Sequence, residues 1–240
     1  MTSPIEHAQA YPFHIPDHSY VIDQDGWKEF DTANFDNHNL HAVIASGSNA
    51  SPDRLAAKFQ DHPELLKYPI YVTQAVLDDF DAVYSAHISN YGSIPATLAH
   101  APGAKAQIFV TWLTNDQLER MHETEALGTN YDYVRLKNIT LELENGQTLN
   151  KAHAYLSRWG CLNRGETPIA LMELKTHGRI WQSMSQSEVL VYAQSLFKSD
   201  LDHHSFIQKH IDSEAIRKGR IARLSLSAIE HGWPHTEIIS

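Results

Sequence analysis

The chain has 240 residues, 42% hydrophobic and 20% charged, with a net charge of −10. That is enough for one large domain with a sizeable core, and the acidic balance argues against general binding to nucleic acid or to an anionic membrane. A single cysteine, Cys161, excludes an internal disulfide framework and fits a reducing compartment. The first twenty residues lack the basic and apolar regions of a signal peptide, and no apolar run reaches the length of a membrane span, so the expected location is cytoplasmic.

Residues 1–38 carry three prolines and scattered aromatics without a sustained period, and read as an irregular N-terminal arm packed on the domain. Residues 40–46 read as a buried strand and 51–61 as a short helix. From 70 to 113 the texture is β: YPIYVTQAVL, DAVYSAHIS, PATLAHA and KAQIFVTWL are β-branched and aromatic runs separated by Asp, Asn-Tyr-Gly and Pro-Gly. Thr114 to Gln117 has the pattern of a capping box and opens a helix through about Glu125. Two strands follow, 133–144 and 148–157, joined at Asn145-Gly146, a favoured hairpin dipeptide. Ser185 to Glu188 is a second capping box, and the chain from 166 to 240 reads as a helical extension of a mixed, β-rich domain spanning 39–165. Strands and helices do not strictly alternate, which predicts an α+β fold with a mixed sheet closed into a small barrel.

The stretch His41 to Leu55, HAVIASGSNASPDRL, is the most informative. An apolar strand stops at Ser46-Gly47-Ser48-Asn49, and a helix start follows with Ser51 at the N-cap and Pro52 in the first turn. Such a turn presents free backbone N–H groups at a positive helix end, a cradle for a carboxylate or a developing oxyanion. Ser48 does not sit in a Gly-x-Ser-x-Gly elbow. The sixteen histidines show no His-Glu-x-x-His pattern, so no metal site is expected. Cys161 has no partner pattern, and Arg217, Lys218, Arg220 and Arg223 read as a solvated helix face.

Two separated segments resemble one family. Ser46-Gly47-Ser48-Asn49 followed by Arg54-Leu55 is similar to the Tyr-Gly-Ser-Asn loop of the gamma-glutamylcyclotransferase-like (AIG2-like) proteins. Ala104 to Leu136 is similar to that family's block of a strand ending in tryptophan, here Trp112, a helix with a buried leucine, here Leu118, and a glutamate at its end, here Glu125. Between them YGSIPATLAHAPG resembles the family's Pro-Gly hairpin. The resemblance covers residues 40–157. It implies the family's barrel fold and cleavage of a γ-glutamyl amide by attack of the substrate's own α-amine, releasing 5-oxoproline and an amine without metal or organic cofactor. It makes Glu125 the general acid/base, and Ser46, Gly47, Ser48, Asn49, Tyr133 and Tyr155 the residues that bind substrate. Glu123, two residues away, would point elsewhere on the helix. Two departures stand out: Ser46 replaces the family's tyrosine, and Ala126 stands where glycine follows the glutamate. The alternatives are an amidase or acyl-transfer enzyme using the same pocket, and a non-catalytic module binding a small carboxylate. The partner implied is a small γ-glutamyl-type molecule. A lid, a dimer arm and a partner site all remain open for the tail, so a homodimer is one expectation.

Overall fold

The protein is described by a computed structural model covering residues 3–33 and 35–240. The elements run α1 (Pro4–Gln9), β1 (Tyr20–Asp23), β2 (Gly26–Glu29), β3 (His41–Ala45), α2 (Pro52–Phe59), β4 (Ile70–Tyr84), β5 (Ala96–Leu113), α3 (Asn115–Thr124), β6 (Tyr131–Leu143), β7 (Thr148–Ser157), α4 (Gln186–Leu196), α5 (His203–Asp212) and α6 (Glu214–Ser225). Short 3-10 turns cover Ser48–Ala50 and Pro63–Lys67, and a last strand covers Thr236–Ile238.

Five strands close on themselves in the order β5-β3-β7-β6-β4 and back to β5. All the pairings in this ring are antiparallel except β3 with β7, so the α+β barrel expected from the strand order is present. Alternation along the strands separates two cores. One face carries Ile44, Leu77, Ile108, Val110, Trp112, Leu136 and Ala154. The other carries Val43, Phe109, Tyr133 and Tyr155 and packs against Leu55 and Phe59 of α2 and Leu118 and Met121 of α3. Leu118 is buried as the family resemblance implied; Trp112 ends up on strand β5 and is buried too, its indole N–H donating to the Thr73 hydroxyl at 2.9 Å.

The four β runs between 68 and 113 are two long strands. Asp79, at φ +63°, forms a bulge in β4, and its carboxylate accepts from the Gly103 amide at 2.7 Å. The Asp and Pro-Gly signals therefore mark a bend within a hairpin whose turn lies at 85–95, not two breaks between strands. The arm at 1–38 is not irregular among its described residues. It contains α1 and the β1–β2 hairpin, and β1 extends the sheet by pairing with β4 at Tyr20↔Val72; three prolines and short elements hid a period too brief to read. The extension at 166–240 is helical only from α4 to α6. Short strand pairs lie between 163 and 184, and Thr236–Ile238 pairs with β6. Nor is it a separate layer, because Ala8 and Tyr11 of the arm, Tyr84 of β4 and Leu190, Phe206 and Ile221 of the helices share one buried cluster. No helix among the described residues is long and apolar enough to cross a membrane.

Candidate active site

β3 delivers the Ser46–Asn49 loop to the end of the barrel, and α2 begins immediately after it. Ser51 takes the N-cap position, but its hydroxyl makes no capping bond and is buried without a partner. Opposite this loop, α3 is fixed at its start by the Thr114–Gln117 capping box and by the Gln117 amide donating to the Leu65 and Tyr68 carbonyls at 3.0 and 2.7 Å. Its end is therefore held in place too, and Glu125 is its C-cap residue. Ala126 follows at φ +49°. This is a left-handed conformation, which a glycine adopts without the methyl penalty.

The Glu125 carboxylate is 10% exposed. Its Oε1 accepts from the Asn49 side-chain amide at 3.0 Å and pairs with the Lys58 ammonium, which also donates to the Thr124 hydroxyl at 3.1 Å. The loop and the glutamate that the resemblance brought together are in direct contact. Ser46, Gly47, Ser48, Asn49, Glu125 and Tyr155 share the wall of one small cavity of about 40 Å³. It has room for a few waters.

Tyr155 is held in that wall by a 2.9 Å hydrogen bond between its hydroxyl and His122 Nδ1. Tyr133 is not part of the wall. Its ring stacks on His153 with centroids 4.9 Å apart, its hydroxyl is buried without a partner, and it lines neither cavity described here. The neighbouring Tyr131, on the same face two residues earlier, lines both. Tyr131, which the family resemblance did not single out, thus borders the cavity where Tyr133 was expected to.

Four further groups were not expected. Tyr11 comes from the arm: its hydroxyl accepts from the Ala96 amide at 2.6 Å and lies over Gly47, where an added Cβ would be 2.3 Å away. A phenol of the chain itself thus sits on the loop that was expected to be an open cradle. Burial, and then Tyr91, raises the Tyr11 pKa, while the Ala96 and Ser48 amides act the other way. Burial likewise raises Tyr131 and Tyr155, with the Glu125 charge adding to each. All three are neutral hydrogen-bond donors at ordinary pH. Lys58, in the last turn of α2, lies on the same helix face as Arg54 four residues earlier, and that spacing was the one local sign of it.

A larger cavity of about 580 Å³ adjoins the first and shares Ser48, Glu125 and Tyr131 with it. This is the size of an ordinary small-molecule pocket. Arg54, Tyr91 and Trp159 line it, as do Arg217 and Lys218 of α6. The basic cluster of α6 is therefore not one solvated face: Arg217 and Lys218 border the cavity, and Arg220 lies over the Phe206 ring at 4.1 Å. His87, 4% exposed, is the fourth unexpected group; burial and then Arg217 push its pKa down to about 4. No group of three or more His, Cys, Asp or Glu side chains arranged to hold a metal ion occurs among the described residues.

No family model and no curated protein matches the chain. Solved structures similar to it include an Arabidopsis thaliana protein, 17% identical, with 68% of this chain and 88% of that one covered at a TM-score of 0.39. A gamma-glutamyl cyclotransferase is 13% identical, with 77% and 99% covered at a TM-score of 0.38. A glutathione-specific gamma-glutamyl cyclotransferase from yeast is 9% identical, with 72% and 98% covered at a TM-score of 0.30. The family that residues 40–157 resemble is thus represented among the structures similar to this chain.

Proposed function

We propose that the chain is a gamma-glutamylcyclotransferase-like enzyme that cleaves a γ-glutamyl amide, with Glu125 as general acid and base. The observation that carries this reading is the hydrogen bond from Asn49 to Glu125 at the edge of a cavity. It joins a strand-to-helix loop to a carboxylate seventy-six residues away at a point where both face enclosed space.

In this reading the substrate lies in the larger cavity with its γ-carbonyl beside Ser48 and Glu125. Glu125 takes a proton from the α-ammonium, and the freed amine attacks the γ-carbonyl carbon to close a five-membered ring. The oxyanion that forms is held by neutral donors, the Tyr11 and Tyr131 hydroxyls and the loop amides. As the carbon–nitrogen bond to the amine portion breaks, Glu125 returns the proton to the departing nitrogen, and the second proton that the ring nitrogen must lose passes through the same carboxylate to the freed amine, which leaves as an ammonium. The products are 5-oxoproline and a free amine, and the enzyme ends in its starting protonation state. Ring closure needs no protein nucleophile, since holding amine and carbonyl together supplies most of the acceleration. Lys58 fixes the direction of the carboxylate.

The test is Glu125→Gln, which keeps the shape and the acceptor for Asn49 but cannot take a proton. Release of 5-oxoproline from γ-glutamyl amides should fall by about 10²–10⁴-fold, while the folded structure is kept at the assay temperature with a lowered melting temperature, since Lys58 loses its carboxylate partner. Full activity in the variant refutes the reading. The space for water beside Glu125 favours one second reading, hydrolysis to glutamate, and identifying the product as 5-oxoproline or glutamate separates the two.

A further inference from the structure

The larger cavity is out of character with the chain. The chain carries a net charge of −10, yet this cavity is lined by Arg54, Lys58, Arg217 and Lys218 against Glu125 and Glu214. Lys58 is paired with Glu125, and Lys218 with Glu214 at 2.6 Å. Among the described residues Arg54 and Arg217 have no carboxylate at ion-pair distance. Arg54 instead lies over the rings of Phe13 and Tyr91, at 4.7 and 5.6 Å, and Arg217 donates to the backbone carbonyl of His210. Two half-buried guanidinium groups without a directly paired carboxylate therefore border a space whose lining holds four cations and two carboxylates, which focuses a positive potential inside an acidic protein. The remaining wall is mixed, with Ser89, Asn90, Thr129 and Asn130 in one part and an apolar patch of Trp159 and Ile221 in another. His87 also faces this space, and its Nδ1 is buried without a hydrogen-bond partner, a polar atom that the chain itself leaves unsatisfied.

A γ-glutamyl amide brings one carboxylate, on its α-carbon, and that neutralises one guanidinium. The second guanidinium calls for a second anion, and the apolar patch calls for bulk. Resting on the reading of this site as a γ-glutamyl amide site, we propose that the amine portion of the substrate is bulky and apolar and bears an acidic group of its own, bound by Arg217 against Trp159 and Ile221. Arg217 belongs to α6, outside the segment that resembles the family, so this preference is a property of the extension and not of the barrel.

Three γ-glutamyl amides separate the components: those of L-phenylalanine, of phenethylamine, which keeps the ring and lacks the carboxylate, and of glycine, which keeps the carboxylate and lacks the ring. The expected kcat/KM for the phenylalanine amide exceeds each of the others at least about tenfold, the lower end of what a hydrogen bond to a charged group is worth. In Arg217→Gln the ratio of phenylalanine amide to phenethylamide falls toward one, while Arg217→Lys, which keeps the charge, retains most of it. Equal turnover of the phenylalanine amide and either comparison amide overturns the proposal, as does a ratio unchanged in Arg217→Gln. Calorimetric binding of free L-phenylalanine and free phenethylamine distinguishes this failure from failure of the catalytic reading. Tighter binding of phenylalanine, lost in Arg217→Gln, with none of the amides turned over, supports the cavity assignment and removes the cyclisation chemistry. Equal binding of the two amines overturns the cavity assignment whatever is turned over.

Discussion

Substituting Gly47 by alanine tests whether the Tyr11 phenol is a fixed part of the loop. Gly47 has φ −164°, extended backbone that alanine adopts freely, so no conformational strain enters. The cost is steric: the new methyl would lie 2.3 Å from the Tyr11 hydroxyl oxygen, and next 3.2 Å from the Ala96 methyl. The hydroxyl must leave, and the Ala96 amide that donates to it at 2.6 Å loses its acceptor. An abandoned buried donor costs about 1–3 kcal/mol and local overpacking about 1 kcal/mol more, so Gly47→Ala should destabilise by about 2–4 kcal/mol. In a Tyr11→Phe background the hydroxyl is already gone and the same substitution should cost about 1 kcal/mol or less, since the contacts that remain need only small shifts. The two substitutions should therefore couple by about 1–3 kcal/mol in a double-mutant cycle measured by urea unfolding at a common m-value. Equal costs of Gly47→Ala in the two backgrounds would show that Tyr11 does not hold this position.

Ala126→Gly should stabilise the protein by about 0.5–1 kcal/mol, relief of the left-handed turn at φ +49° being partly offset by the freer unfolded chain; a lower denaturation midpoint contradicts the reading of that turn. Lys58→Met leaves the 10%-exposed Glu125 carboxylate without its cation, and should destabilise by about 2–4 kcal/mol, read from the same urea curves. Arg179→Met removes the partner of the fully buried Asp81, which accepts from Arg179 at 2.8 Å. It should cost about 3–5 kcal/mol, and a loss under 1 kcal/mol would refute that pairing as a stability determinant. His87 and His210 are buried, with pKa values pushed down to about 4 and about 3 by burial first and neighbouring arginines second. Both folded-state values are depressed, so the unfolded chain binds the extra protons. Stability is then fully present above about pH 6.5 and falls as pH drops from there toward 4, by up to about 3 kcal/mol per pH unit for the pair. A midpoint that does not change between pH 7 and pH 5 contradicts this.

The barrel and its loop were legible because they rest on local signals. An apolar strand breaking at Ser46, a capping box at Thr114 and a hairpin dipeptide at Asn145 each act over a few residues. Glu125 was singled out by the family resemblance and not by its place at a helix end, which by itself suggests only a solvated carboxylate. Asn49 as its hydrogen-bond donor follows once the barrel is closed. Tyr11, His87 and Arg217 were not legible, because nothing near them in sequence indicates a cavity; they are brought to it by an arm and an extension whose packing is long-range. Tyr133 was named through the family resemblance alone, and Tyr131, two residues earlier on the same strand face, is the one that lines the cavity. The hairpin prediction at Pro102-Gly103 failed because a bulge satisfies the same turn residues without ending a strand.

The parallel pairing of β3 with β7 joins segments about a hundred residues apart, Val43 with His153 and Ile44 with Ala154. Such a contact can form only after a long loop closes, which makes it a late step in folding. The seam it closes has the Ser46–Asn49 loop at the end of one strand and Tyr155 on the other. During refolding, closure of the Ser46–Asn49 loop against Glu125 should therefore lag behind the return of secondary structure, and if the proposed reaction is catalysed there, its onset would report the moment at which the barrel shuts.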